Sequence, residues 1–202
     1  VESIDQFTGE LGKLEPVADI DLESGILSLD LKNDLSIIAV GTEEGYVHLL
    51  DSMHVNIERR NDCRIYSNRR WNAHRTAVTS LAFHSFKGSR GCVLATASLD
   101  ASIKIWGNDA CHLTREPRHH VATPLLVLHS SVGGICKVLW APEPVTGPSS
   151  RAEEHQYLVA SSLKNEILVW TIDLTHFKAL RLSSFEGHTG SVNDFHFMRL
   201  QY

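Results

Sequence analysis

The chain has 202 residues, 43% of them hydrophobic, and a formal net charge of −5. That is enough apolar material for a real core in one or two domains, yet no apolar run approaches the roughly 18 residues a helical membrane span needs. No basic start leads into an apolar stretch, so no signal peptide is expected, and an acidic chain is not a general nucleic-acid coat.

The charge is unevenly spread. Residues 1–56 hold 12 Asp/Glu against 2 Lys/Arg, whereas residues 57–75 hold 6 Arg against 2 Asp/Glu. The second stretch is a candidate local anion site. Cys63, Cys92, Cys111 and Cys136 are far apart, with no CxxC pair. They read as reduced thiols of an intracellular protein, nuclear or cytoplasmic.

In chain order, the first predicted element is the strand GILSLDL, Gly25–Leu31. A hairpin follows in IIAVGTEEGYVHLLD, Ile37–Asp51: an apolar strand ending in small residues, a polar turn and a second alternating strand. The pattern returns as AVTSLAFH (Ala77–His84) with VLATASLDASIKIWG (Val93–Gly107), and again as GICKVLWA (Gly134–Ala141) with YLVASSLKNEILVWT (Tyr157–Thr171). A fourth copy starts at GHTGSVNDFHF, Gly187–Phe197. Short strands repeated without amphipathic helices predict an all-β fold. The second strands end on Leu50, Trp106 and Trp170, spaced by 56 and 64 residues. A four-stranded repeat unit needs roughly 40–45, and the excess falls in inserts at 52–72, 108–123 and 142–156. Part of the first insert is expected to form the outer strand of the second unit.

These residues carry a family resemblance. Ala73-His74 and Gly187-His188 stand where a Gly-His pair belongs, and Ser98-Leu99-Asp100 forms the turn. Ile103-Lys104-Ile105-Trp106 and Ile167-Leu168-Val169-Trp170 supply strands ending in tryptophan. The chain resembles the WD-repeat (WD40) β-propeller family over most of residues 20–197. The resemblance implies one partial propeller spanning 1–202, built from four-stranded antiparallel blades. The blade hairpins fall near 25–51, 77–106 and 134–171, with a further blade starting at 187–202. That is about three and a half blades, and closed propellers have about four to eight, so a larger ring is expected.

The resemblance also implies a structural hydrogen-bond network of His74, Thr96, Ser98, Asp100 and Trp106, with His188 in the matching place of the last copy. Asp100 would then be scaffold, because a buried carboxylate must be hydrogen-bonded. The copies are imperfect: Asp100 falls on Glu44 and Lys164 in the other repeats, and His74 on Leu22 and Ser131. Only the second repeat carries the full set.

Little else points to chemistry. No HxxxH or HExxH pattern stands on a helix, so no metal or cofactor is expected. No GxSxG occurs, and Glu43-Glu44 and Glu153-Glu154 read as solvated turn charge. Neither SVGG nor GTEEG has the lysine and helix of a phosphate loop. No catalytic residue is assigned, and no small-molecule substrate or membrane contact is expected. The remaining candidate is Asn56–Arg75, where Arg59, Arg60, Arg64, Arg69 and Arg70 interleave with Tyr66 and Trp71. Arginine forks suit carboxylate or phosphate, and aromatics stack bases or cover a peptide. The same pattern also fits arginines that merely coat an exposed strand with Trp71 packed beneath.

The expected function is a noncatalytic scaffold for protein–protein interactions within a larger complex. GILSLDL, AVTSLAFH and ASLDASIKIW together are similar to the propeller of the pre-mRNA-splicing ubiquitin ligase family, which implies a nuclear spliceosomal scaffold. The large inserts depart from its compact blades. Substrate receptors of cullin ubiquitin ligases often carry Trp-Asp-x-Arg at a blade end, but Trp106 and Trp170 are followed by Gly107-Asn108 and Thr171-Ile172. The alternative is an RNA-binding propeller using the arginine-rich insert.

Overall fold

The computed structural model describes residues 21–51, 67–85, 91–107, 122–131, 133–142 and 155–198. Twelve strands occur among them. β1 (Ile26–Leu31), β2 (Ile37–Thr42), β3 (Tyr46–Asp51) and β4 (Ser67–Asn72) form one sheet. β5 (Val78–Ser85), β6 (Cys92–Ser98), β7 (Ser102–Trp106) and β8 (Leu126–His129) form the second. β9 (Ile135–Trp140), β10 (His155–Ser162), β11 (Glu166–Asp173) and β12 (Lys178–Glu186) form the third. Each is an antiparallel meander in which chain neighbours are sheet neighbours, the arrangement that short turns favour.

The middle sheet explains why its strands look apolar throughout instead of alternating. One face sends Leu81, Phe83, Leu94 and Trp106 into a core with Ile37, Val47, Leu49 and Trp71 of the first sheet. The other sends Ala82, Ala95, Ile103 and Ile105 into a core with Val138, Trp140, Leu158, Leu168 and Trp170 of the third. Successive residues point to opposite faces, so a strand buried on both sides carries apolar residues on both, with the buried Ser80, Thr96, Ser98 and Ser102 as hydrogen-bonded exceptions. The end sheets have one partner each. Leu27, Leu29 and Leu31 on β1 and Leu180, Leu182 and Phe185 on β12 are accordingly exposed.

Polar stitches join the inner strands. The Ser28 hydroxyl donates to Val78 O at 2.8 Å, and the Thr79 hydroxyl donates to Ile135 O at 2.7 Å. The Phe83 N–H donates to Asp30 Oδ2 at 2.6 Å, and the Trp140 indole N–H to Ala82 O at 3.1 Å.

Two differences from the sequence reading stand out. β4, inside the 52–72 insert, pairs with β3 and is the outer strand of the first sheet, not of the second. A strand leaving one sheet's edge feeds the inner strand of the next, so a sequence unit that begins at β4 is offset by one strand from the sheet. The Gly187–Met198 segment, expected to open a further blade, forms no ladder among the described residues. Within it Val192 is buried, its N–H donates to Ser162 O at 3.3 Å, and Asp194 pairs with Lys137.

Candidate functional site

The β6–β7 turn gathers the polar residues of the second repeat. Asp100 accepts from its own turn at both the Ser102 N–H (3.0 Å) and the Ser102 hydroxyl (2.5 Å). It also accepts from the Arg75 N–H at 3.1 Å. Asp at the start of a tight turn captures these nearby donors readily. Ala101 sits at φ 64, which the turn requires.

His74 arrives from the β4–β5 connection and is 1% exposed. Its Nδ1 lies 3.2 Å from Asp100 Oδ2, and its Nε2 lies 2.7 Å from Thr96 Oγ1. The Trp106 indole N–H donates to the same Thr96 oxygen at 2.9 Å. One neutral tautomer satisfies the whole relay: Trp106 donates to Thr96, Thr96 to His74 Nε2, and His74 Nδ1–H to Asp100. Burial, partly offset by Asp100, lowers the His74 pKa to about 4. For Asp100 burial alone would raise the pKa, but Ser102, the Arg75 N–H and His74 outweigh it and hold the carboxyl below its usual value.

Ser98 lies beside the relay. Its hydroxyl donates to Thr76 O at 3.2 Å and accepts from the Asp100 N–H at 3.1 Å. The equivalent hydroxyls of Thr42 and Ser162 serve the other two turns, accepting from the N–H of Tyr46 and of Lys164, each at 3.2 Å. All three hydroxyl residues are fully buried. Ser102 and Lys104, whose ammonium donates to Ala73 O at 2.5 Å, were not singled out from sequence. The only signal was an Asp-x-Ser spacing. His188 is exposed and stands outside the network. It would need the turn carboxylate of a following hairpin, and none follows within the described residues.

Arg59, Arg60, Arg64 and Tyr66 lie outside the described residues. Arg69, Arg70 and Trp71 lie on β4. Trp71 is not a surface residue: it is 6% exposed and meets Trp106 edge-on, with ring centroids 5.4 Å apart. It pairs with Val47, whose face turns toward the second sheet. The Arg69 guanidinium lies over the Trp71 ring at 5.8 Å, and that of Arg70 over the Tyr46 ring at 4.0 Å. Among the described residues no cluster of three or more His, Cys, Asp or Glu could hold a metal, and no helix is long and apolar enough to cross a membrane.

The family described as "WD domain, G-beta repeat" matches residues 65–107, the stretch from β4 to Trp106 that contains the whole relay. This segment is a WD40 repeat. The WD40 unit therefore straddles two sheets, which is why β4 reads in sequence as part of the second unit. The chain is also similar to a chain of the "Crystal Structure of Mitotic Checkpoint Complex", with a TM-score of 0.57 and 15% identity over 93% of its length. The three four-stranded antiparallel sheets have the architecture of propeller blades. The chain spans 44% of the matched one. A search of curated proteins found no match.

Proposed function

We propose that the protein is a noncatalytic WD40 scaffold that binds other proteins within a larger complex. The observation that carries this reading is the closure of the polar relay on itself. His74, paired with the half-buried Asp100, has both ring nitrogens committed and almost no exposed surface. Its low pKa keeps it neutral near pH 7, as a fixed hydrogen-bonding part rather than a proton carrier poised at working pH. What the blades offer a partner is their rigid edges and turns, and fold alone names no ligand. The inner-strand and turn similarity to the splicing ubiquitin ligase propeller supports an intracellular, nuclear RNA-processing or ubiquitin-ligase assembly as the setting. The exposed Arg70 and the arginines before it support RNA binding as the second reading.

The test is a capture from cell extract with the full chain and with a variant carrying Arg59, Arg60, Arg69 and Arg70 changed to Ala, each with and without ribonuclease. Protein partners that survive ribonuclease are expected. Capture abolished by ribonuclease and by the variant alike would replace the scaffold with an RNA reader.

A further inference from the structure

The outer edge of the third blade departs from its two counterparts. β8 has four residues and β4 has six, whereas β12 has nine and carries Leu180, Leu182 and Phe185 at 63%, 49% and 58% exposed. β12 ends its sheet, and among the described residues no strand pairs with its outer side. Edge strands are ordinarily kept short or charged, because a row of unpaired N–H and C=O groups invites another strand. Pairing with β11 fixes which way each residue points. Leu168, Trp170 and Ile172 belong to the core against the second blade, so their partners Ser184, Arg181 and Ala179 share that face. Lys178, Leu180, Ser183 and Phe185 take the opposite face. The bulge between Arg181 and Ser183 makes the switch: residues turned away from the second blade are even-numbered before it and odd-numbered after it.

We infer that two copies of this chain pair antiparallel along the outer edges of β12, joining their third blades into one continuous sheet, with Leu180 of each copy opposite Phe185 of the other. The face pattern selects this register. Because of the bulge, faces match across an antiparallel contact only when the two-fold axis falls between two residues and not on one. An axis between Leu182 and Ser183 centres the contact on the strand. It sets Leu180 against Phe185, Arg181 against Ser184 and Ala179 against Glu186, each pair occurring twice. A two-fold interface needs such self-complementarity. The charges agree with it. Glu186 stands opposite Glu166 in its own sheet, and among the described residues no cation pairs with it. Arg181 reaches Glu166 Oε2 and Ser131 Oγ, both at 3.5 Å. In the paired copies Glu186 of one lies diagonal to Arg181 of the other on the same face, within reach of a long side chain. Arg181 keeps its present contacts there and gains a second carboxylate. No like charges stand opposite one another across the contact. Each copy has a single β12, so the association closes at two. This self-association goes beyond the scaffold reading and holds whichever proteins the scaffold binds.

The experiment is sedimentation velocity of the full chain from about 1 to about 100 μM, the range in which a contact this small should associate. Reductant in the buffer excludes cross-linking through the cysteines. The wild type is expected to pass from monomer to dimer across that range. Amide hydrogen exchange at residues 178–186 should slow as the dimer forms, a readout that needs no variant. Leu180→Lys with Phe185→Lys sets like charges opposite one another and should weaken the dimer by at least about tenfold. Leu180→Lys with Phe185→Glu sets opposite charges at both contacts in this register and should hold the dimer to within about threefold of wild type. Both positions are exposed, and an unchanged unfolding curve confirms that each variant is intact. A monomer at every concentration, exchange at β12 indifferent to concentration, a dimer indifferent to the two lysines, equal loss in both variants, or growth past the dimer would each overturn the assignment.

Discussion

Acidification should destabilise this protein through His74, in a range where carboxylates still contribute little. The His74 pKa falls from 6.5 to about 4 on folding, chiefly because the ring is buried. The folded state therefore resists a proton that the unfolded state accepts. Stability is unaffected above the unfolded value, declines as pH drops below 6.5, and levels off below about 4. Linkage at about 1.4 kcal/mol per pKa unit makes the full swing about 3 kcal/mol, with about 2 kcal/mol lost between pH 7.5 and pH 5. Other groups titrate as well. Burial lowers His48 and acts in the same sense, while burial raises Asp30 and acts in the opposite one. A comparison cancels both: urea unfolding of the wild type and of His74→Gln at half-unit pH steps. Glutamine loses part of the relay and should be less stable at pH 7.5, but its stability should fall by about 2 kcal/mol less on the way to pH 5. Parallel pH profiles for the two proteins would mean that His74 is not held neutral, and the relay as drawn would be wrong.

Thr96→Val keeps the shape but leaves the Trp106 N–H and His74 Nε2 without their shared partner, and should cost about 2–4 kcal/mol in chemical denaturation; Thr96→Ser should cost less than about 1 kcal/mol. Gly45 sits at φ +87, and an added Cβ would meet His74 O at 2.2 Å. Gly45→Ala should therefore destabilise by well over about 1 kcal/mol, and by more than Gly133→Ala, which shares the positive φ but meets only the Lys164 side chain at 3.7 Å. Asp30→Leu removes the acceptor for the Phe83 N–H between the first two sheets and should cost about 1–3 kcal/mol, most of it recovered in Asp30→Asn, whose side-chain oxygen still accepts. Thermal unfolding followed by circular dichroism checks each pair.

The inner three strands of each blade were legible because both of their faces carry information. β6, buried at every residue, reads as a continuous apolar run, and the turn after it announces itself through Asp100 and the tryptophan six residues on. The outer strands were not legible. β8 has four residues, and β12 buries almost none of its nine, so neither shows the alternation that marks a half-buried strand. β4 shows a different failure. Its tryptophan could be a surface anchor or a core residue, and only the pairing of Trp71 with Val47 decides that it lies inside. Ser102 was missed because a serine two residues after an aspartate is common, and it matters here only because that aspartate is held in place from four directions.

The offset between repeat and blade gives the relay its mechanical meaning. Ala73 and His74 both donate their N–H groups to Gly45 O, in the β2–β3 turn of the first blade, at 2.9 and 3.0 Å. The His74 side chain reaches Thr96 and Asp100 in the second blade. The residue is thus bonded by its backbone to one sheet and by its ring to the next. The relay is a clamp between blades as much as a brace within one. Ser131 stands at the His74 position of the next connection, and that junction is held by other means. Thr79 and Ser80 stitch the inner strands, Trp140 reaches back to Ala82, and a wholly apolar core lies between the sheets. A polar clamp specifies geometry because one partner left alone is costly, whereas an apolar junction adapts to the volume it is given. Loss of the clamp should therefore loosen the first blade against the second while the second and third stay packed. Hydrogen exchange in His74→Gln would show this as faster exchange in β1–β3 than in β9–β11.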